Sequence, residues 1–266
     1  MTRLEALALL TGRAPPVLAP GEVWLVGAGP GDPGLLTLDA VAGLAQAELL
    51  VQDELVDPRI LALVPEGAER LLMGKRGGRP SARQDDITQQ LIAAARAGRR
   101  VVRLKGGDPY VFGRGGEEAL ALAEAGIPCR VVPGLTAGLA GLAAVGIPAT
   151  LRGVNQAVVL ATGHAAEGAD YALDWAALAR SGQPLVLYMA MRRLAAVTAA
   201  LLAGGLDGAT PVAVVSEATT PREAVLESTL AGVAAAVQAA GLKAPSVVAI
   251  GGIVAARRLL APAPRG

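Results

Sequence analysis

The residues best suited to chemistry lie in the run Leu104-Lys-Gly-Gly-Asp-Pro-Tyr-Val-Phe-Gly-Arg-Gly-Gly-Glu-Glu118. Glycines at 106, 107, 113, 115 and 116 let the backbone approach a partner closely, and Asp108 sets a carboxylate beside the N–H groups that such a backbone exposes. Donors and acceptors side by side suit a polar ligand. The competing reading is a tight turn ahead of a helix that begins near Glu117, and a single glycine pair would favour the turn. Lysine usage adds an independent hint. The chain has three lysines, and two of them, Lys75 and Lys105, sit in glycine-rich motifs. Where arginine is the default cation, a retained lysine implies a need for a compact or titratable ammonium, with chance as the rival account.

A second glycine loop, Gly27-Ala-Gly-Pro-Gly-Asp-Pro-Gly34, follows an apolar stretch and precedes a helical one. It fails the dinucleotide fingerprint, because Asp32 stands where the third glycine belongs and Pro30 and Pro33 remove amide donors. Neither this loop nor the one at Lys105 fits the phosphate-binding pattern G-x-x-x-x-G-K-[ST]. One cysteine, Cys129, excludes an internal disulfide, and with one histidine, His164, it rules out the usual Cys/His zinc clusters. No metal site is expected.

The elements that must position these loops are of the α/β kind. Hydrophobic residues make up 53% of the 266 and aromatic ones 2%, so the core is built from Ala, Leu, Val and Ile. A net charge of +1 and the scarcity of stacking side chains argue against a nucleic-acid partner. Residues 131–151 carry no charge, but Pro133, Pro148 and four glycines interrupt them, which argues for a buried soluble segment and against a membrane span. Residues 1–20 read as a short helix and an extended tether, with no targeting segment; the expected compartment is the cytoplasm.

Strand candidates at 22–26, 48–51, 70–73, 101–104 and 129–132 alternate with helices at about 36–47, 57–64, 85–97 and 117–125. This is βαβ periodicity over 21–133. A helix near 136–144 leads into a second unit, 134–266, with strands at 157–161, 185–189, 212–216 and 247–250 and helices at 176–180, 194–203 and 229–240. Two α/β domains are thus expected, with the active site in the cleft between them.

Six motifs occur in order: Val26 to Leu38, Asp53-Glu-Leu-Val56, Gly74-Lys-Arg-Gly-Gly78, Arg103 to Pro109 with Phe112 to Glu118, Val132-Pro-Gly-Leu-Thr-Ala137 and Gly146-Ile-Pro148. Together they closely resemble the tetrapyrrole methylase family over about 21–260. The resemblance implies a two-domain fold and a homodimer. It also implies an S-adenosylmethionine-dependent enzyme that methylates two ring carbons of uroporphyrinogen III, giving precorrin-2 by way of precorrin-1 for cobalamin or sirohaem. A methylase of a later corrinoid intermediate is the nearer alternative. A nucleotide-dependent oxidoreductase and a non-catalytic module that binds S-adenosylmethionine are more distant ones.

By the same resemblance Asp53 is the proton acceptor and Lys75 the proton donor. Pro30, Gly106, Gly107, Asp108, Val111, Thr136, Ala137, Met189, Ala218 and Pro245 hold S-adenosylmethionine, mostly through backbone groups, and the product S-adenosylhomocysteine after transfer. A substrate with eight carboxylates calls for arginines, and Arg76, Arg79, Arg114 and Arg152 are the candidates. Ala218 replaces the family's usual glycine, Gln52 a tyrosine before Asp53, and Pro80 a histidine. His164 matches the family, with a structural role as the other reading.

Overall fold

A strand covered on both faces needs no alternation of polar and apolar residues, and Val23–Gly27 (β1) shows none, being buried throughout. It stands near the middle of the first of two units, Met1–Thr136 and Ala137–Gly266, seen in a computed structural model that describes residues 1–73, 84–164 and 173–261. The first unit runs α1 (Arg3–Thr11), β1, α2 (Leu38–Leu44), β2 (Leu49–Asp53), β3 (Glu69–Met73), α3 (Gln84–Arg96), β4 (Val101–Lys105), α4 (Gly115–Glu124) and β5 (Cys129–Val132). Its sheet has the order β3-β2-β4-β1-β5, every pair parallel.

The topology fixes where a ligand can sit. Ala40 and Leu44 of α2 pack with Trp24, Val26 and Leu104 on one face, while Leu91 of α3 and Leu122 of α4 pack with Leu25, Val51 and Val101 on the other. The chain therefore leaves β1 toward one face and the neighbouring β4 toward the opposite face. The two loops part at the carboxyl ends of adjacent strands, the topological switch point where open α/β sheets bind ligands.

Two segments of this unit differ from the sequence expectation. Residues 57–64 form a 3₁₀ helix, Pro58–Leu63, bounded by the Asp57 cap and by Val64, which the following Pro65 biases to extended backbone. The segment after α1 is packed rather than loose: Leu18 is fully buried, Gln46 Nε2 donates to the Pro16 carbonyl, and the Leu18 N–H donates to Gln46 Oε1.

The second unit begins with α5 (Ala137–Ala144) and continues with β6 (Val159–Thr162), α6 (Trp175–Arg180), β7 (Leu185–Tyr188), α7 (Leu194–Ala203), β8 (Pro211–Ser216), β9 (Ala224–Thr229), α8 (Val233–Ala240), β10 (Ser246–Ile250) and α9 (Arg257–Leu260). The sheet order is β6-β7-β10-β8-β9, with β6 and β7 parallel and the other pairs antiparallel. Strand β9 is an edge strand that the sequence reading lacks, and it moves the start of α8 from residue 229 to Val233. One face is covered by Ala179, Leu194, Leu201 and Val233, and α5 packs on the other against β7 and β10. The uncharged 131–151 stretch is accounted for by the end of β5, all of α5 and their loops.

Candidate active site

Three loops of the first unit meet at the switch point through their backbones. The Ala28 N–H donates to the Lys105 carbonyl at 2.7 Å, and Gly29 and Gly107 exchange hydrogen bonds of 3.1 and 2.8 Å. Both glycines sit in the left-handed region, at φ 71° and 68°. A Cβ on Gly27 would fall 2.5 Å from the Gly134 backbone, and one on Gly134 would collide with the Gly107 carbonyl oxygen, so backbone alone fits where these loops cross. Asp108 is the clip. Its Oδ1 accepts from the Tyr110 N–H at 2.8 Å and its Oδ2 from the Gly134 N–H at 3.0 Å, so the carboxylate first shapes its own scaffold. A Cβ on Gly106 would make only ordinary contact, with Leu55 at 3.6 Å, and Pro30 and Val111 are half-buried.

Asp53 ends β2 next to this loop system, with its side chain 31% exposed. Its Oδ1 accepts from an Arg103 NH2 group at 2.5 Å. The Arg103 Nε donates to Glu118 Oε1 at 3.1 Å, and Lys105 Nζ donates to the same oxygen at 3.1 Å. Arg103, Lys105 and Glu118 are each at most 2% exposed. Burial, followed by repulsion from Arg103, pushes the Lys105 ammonium below the ordinary lysine value. Sequence reasoning singled out Lys105 but gave no role to Arg103 and Glu118. The available signal was parity: Val101, Arg103 and Lys105 share one face of β4, the face that α4 covers.

In the second unit the expected cofactor residues cluster around α5, whose first residue is Ala137. The Gly138 N–H donates to Tyr188 Oη at 3.0 Å, and Tyr188 precedes Met189. A Cβ on Gly141 would lie 2.8 Å from the Ala218 methyl, so that methyl packs toward α5 and leaves the loop backbone to face elsewhere. The Glu217 N–H donates to the Pro245 carbonyl at 2.9 Å, joining the fourth residue to the group. Met189 is 51% exposed at φ 52°. Among the described residues, the non-glycine residues at positive φ are Phe112 and Arg114, in the connection from β4 to α4, and Met189, Glu217 and Thr219, just past the ends of β7 and β8. Such backbone costs of order 1–3 kcal/mol per residue and gathers where loops are held for a purpose.

The remaining candidates are placed less tightly. Arg114 caps α4 on the exposed side and pairs with Glu117 at 2.6 Å. Arg152 is exposed on the segment before β6, and Thr136 is buried at the end of the first unit. His164 is exposed, with its N–H on Thr162 Oγ1. Lys75, Arg76, Arg79 and Pro80 lie outside the described residues; Met73, the last one before that gap, pairs with Asp53 in the sheet. Among the described residues no group of three or more His, Cys, Asp or Glu side chains is placed to hold a metal, and no helix is long and apolar enough to cross a membrane.

A parallel α/β unit with glycine loops meeting at its switch point, followed by a mixed α/β unit with small residues around one helix, defines a two-domain α/β protein. The family described as tetrapyrrole (corrin/porphyrin) methylases matches residues 22–234, and the chain belongs to it. It is 53% identical over 246 residues to a uroporphyrinogen-III C-methyltransferase of Sinorhizobium sp., covering 92% of this chain and 88% of that one. It is 48% identical to siroheme synthase 2 of Aeromonas hydrophila over 91% of its own length, but spans only 51% of that longer protein. Among solved structures it resembles the uroporphyrin-III C-methyltransferase of Thermus thermophilus complexed with S-adenyl homocysteine. There the TM-score is 0.75 and the identity 40%, over 88% of this chain and 99% of that one.

Proposed function

We propose that this chain methylates uroporphyrinogen III at two ring carbons, using S-adenosylmethionine, and releases precorrin-2 by way of precorrin-1. The observation that carries the reading is the meeting of the β1, β4 and β5 loops as bare backbone beside Asp53. A nucleoside needs close main-chain approach and a mixture of donors and acceptors, and the glycines at 106 and 107 with the Asp108 clip meet both needs. The switch-point loops suit S-adenosylmethionine, and we assign Pro30, Gly106, Gly107, Asp108, Val111, Thr136, Ala137, Met189, Ala218 and Pro245 to holding it, as the family resemblance implies. When bound, that molecule supplies an electrophilic sulfonium methyl group.

The protein's own contribution is alignment, exclusion of water and proton handling. A reduced tetrapyrrole is itself the nucleophile, so no side-chain nucleophile is required. Each methyl transfer leaves the tetrapyrrole with one proton in excess, which Asp53 takes; Lys75 is assigned as the donor of any proton added while the ring double bonds shift, matched by a second proton that the ring loses. Arg76, Arg79, Arg114 and Arg152 are assigned to the substrate carboxylates as charge-assisted donors. We assign the enzyme to the cytoplasm and to a homodimer, and its product to cobalamin or sirohaem synthesis.

The test is incubation with uroporphyrinogen III and S-adenosylmethionine carrying an isotopic methyl label, followed by mass spectrometry of the tetrapyrrole. Two labelled methyl groups per product are expected. Binding of S-adenosylhomocysteine without any methylated product overturns the reading, and methylation confined to a later corrinoid replaces it with the nearer alternative.

A further inference from the structure

The buried charges behind Asp53 are more than the fold requires. Replacing a buried ionic cluster with well-packed apolar residues is often neutral or stabilising, so Arg103, Lys105 and Glu118 are poorly explained as props for the sheet. Their geometry points to a different use. Arg103 engages every nitrogen of its guanidinium: Nε on Glu118, one terminal nitrogen on Asp53, and the other on the Val51 and Leu104 carbonyls. A planar fork held at that many points has one orientation. Lys105 and Arg103 share Glu118 Oε1, so the formal charges of the quartet balance, two positive against two negative. Asp53 is the only member that reaches solvent.

We infer that Arg103 is a positioning residue that fixes the Asp53 carboxylate at the end of β2, with Glu118 and Lys105 holding Arg103 in place and its charge in balance. The inference rests on the role proposed for Asp53. All four residues belong to the first unit, and three of them are buried from solvent. The arrangement makes the geometry of the partly exposed carboxylate a property of β4 and α4. Glu118 is then needed for its charge, and Lys105 for balancing it.

The experiment measures kcat and KM for uroporphyrinogen III, and the Kd of S-adenosylhomocysteine by calorimetry, in wild type, R103M, R103K, E118Q and K105M/E118Q. R103M is expected to lower kcat by at least about thirtyfold, with KM and Kd within about threefold, the pattern of a group that acts on the reacting centre alone. R103K keeps the charge but not the fork, so its kcat should fall nearer to R103M than to wild type. K105M/E118Q should recover at least about threefold over E118Q, since it restores charge balance. A kcat for R103M within threefold of wild type overturns the inference, as does a Kd that weakens in step with kcat, which marks a merely structural role. A wild type that binds S-adenosylhomocysteine yet methylates nothing overturns the functional reading and this inference with it. An active wild type beside an undisturbed R103M overturns the inference alone.

Discussion

At the scale of single residues, Gly134 bears the heaviest demand. Its N–H serves Asp108, and its Cα faces Gly27 and the Gly107 carbonyl, so a methyl group there has only backbone to push against. G134A is expected to destabilise the fold by roughly 1–3 kcal/mol, read as a lower urea midpoint, and to weaken S-adenosylhomocysteine binding with it. An unshifted midpoint would mean that the loops can part at no cost. Cys129 gives a residue-scale prediction in pH. Burial pushes its thiol from the ordinary 9.0 up to about 11. Between these values the unfolded chain gives up a proton that the folded chain keeps, so stability is untouched below pH 9 and falls as pH rises toward 11. C129A should flatten that alkaline decline. At pH 9 the native thiolate fraction should be roughly fiftyfold below that of the unfolded chain, and iodoacetamide alkylation, followed on the only cysteine, measures it.

At the scale of elements, the start of α4 separates stability from function. Arg114 holds a left-handed backbone at φ 59° and an exposed pair with Glu117. Glycine removes the strain, and losing an exposed pair costs at most about 1 kcal/mol. R114G should therefore melt within a few degrees of wild type while kcat/KM for the tetrapyrrole falls at least about tenfold. A parallel fall in melting temperature and activity would make Arg114 a helix-start residue only. Much of this element plan is legible in the sequence. The apolar run at β1 has no alternation to blur it, β4 and β5 are short β-branched stretches interrupted by basic residues, and the glycine loops stand at the strand ends. Strand β9 is not legible, because Ala224–Thr229 is a half-exposed edge whose Thr229 imitates a helix cap. Nor is the Arg103–Glu118 pair. Two cations at the end of a strand and a pair of glutamates at the start of a helix each read as solvated charge until the fold lays α4 on the sheet and brings Glu118 to Arg103 and Lys105.

At the scale of the molecule, the chain is two units with separate cores, each built on its own sheet. The residues assigned to S-adenosylmethionine divide between them, Pro30 and Gly106 to Asp108 in the first, Met189, Ala218 and Pro245 in the second. A ligand that binds only folded protein stabilises what holds it, by about 2.7 kcal/mol at a hundred times its Kd. Amide hydrogen exchange followed by mass spectrometry reads each unit by its own peptides. With S-adenosylhomocysteine at that concentration, slower exchange is expected in the loops after β1 and β4, and also in those after β7 and β8, where Met189, Glu217 and Thr219 already hold backbone at positive φ. Because those loops are ordered in advance, the change should be a uniform slowing of protected amides and not the appearance of new protection in open ones. Protection confined to the first unit would remove Met189, Ala218 and Pro245 from the proposed set while leaving the switch-point loops in place.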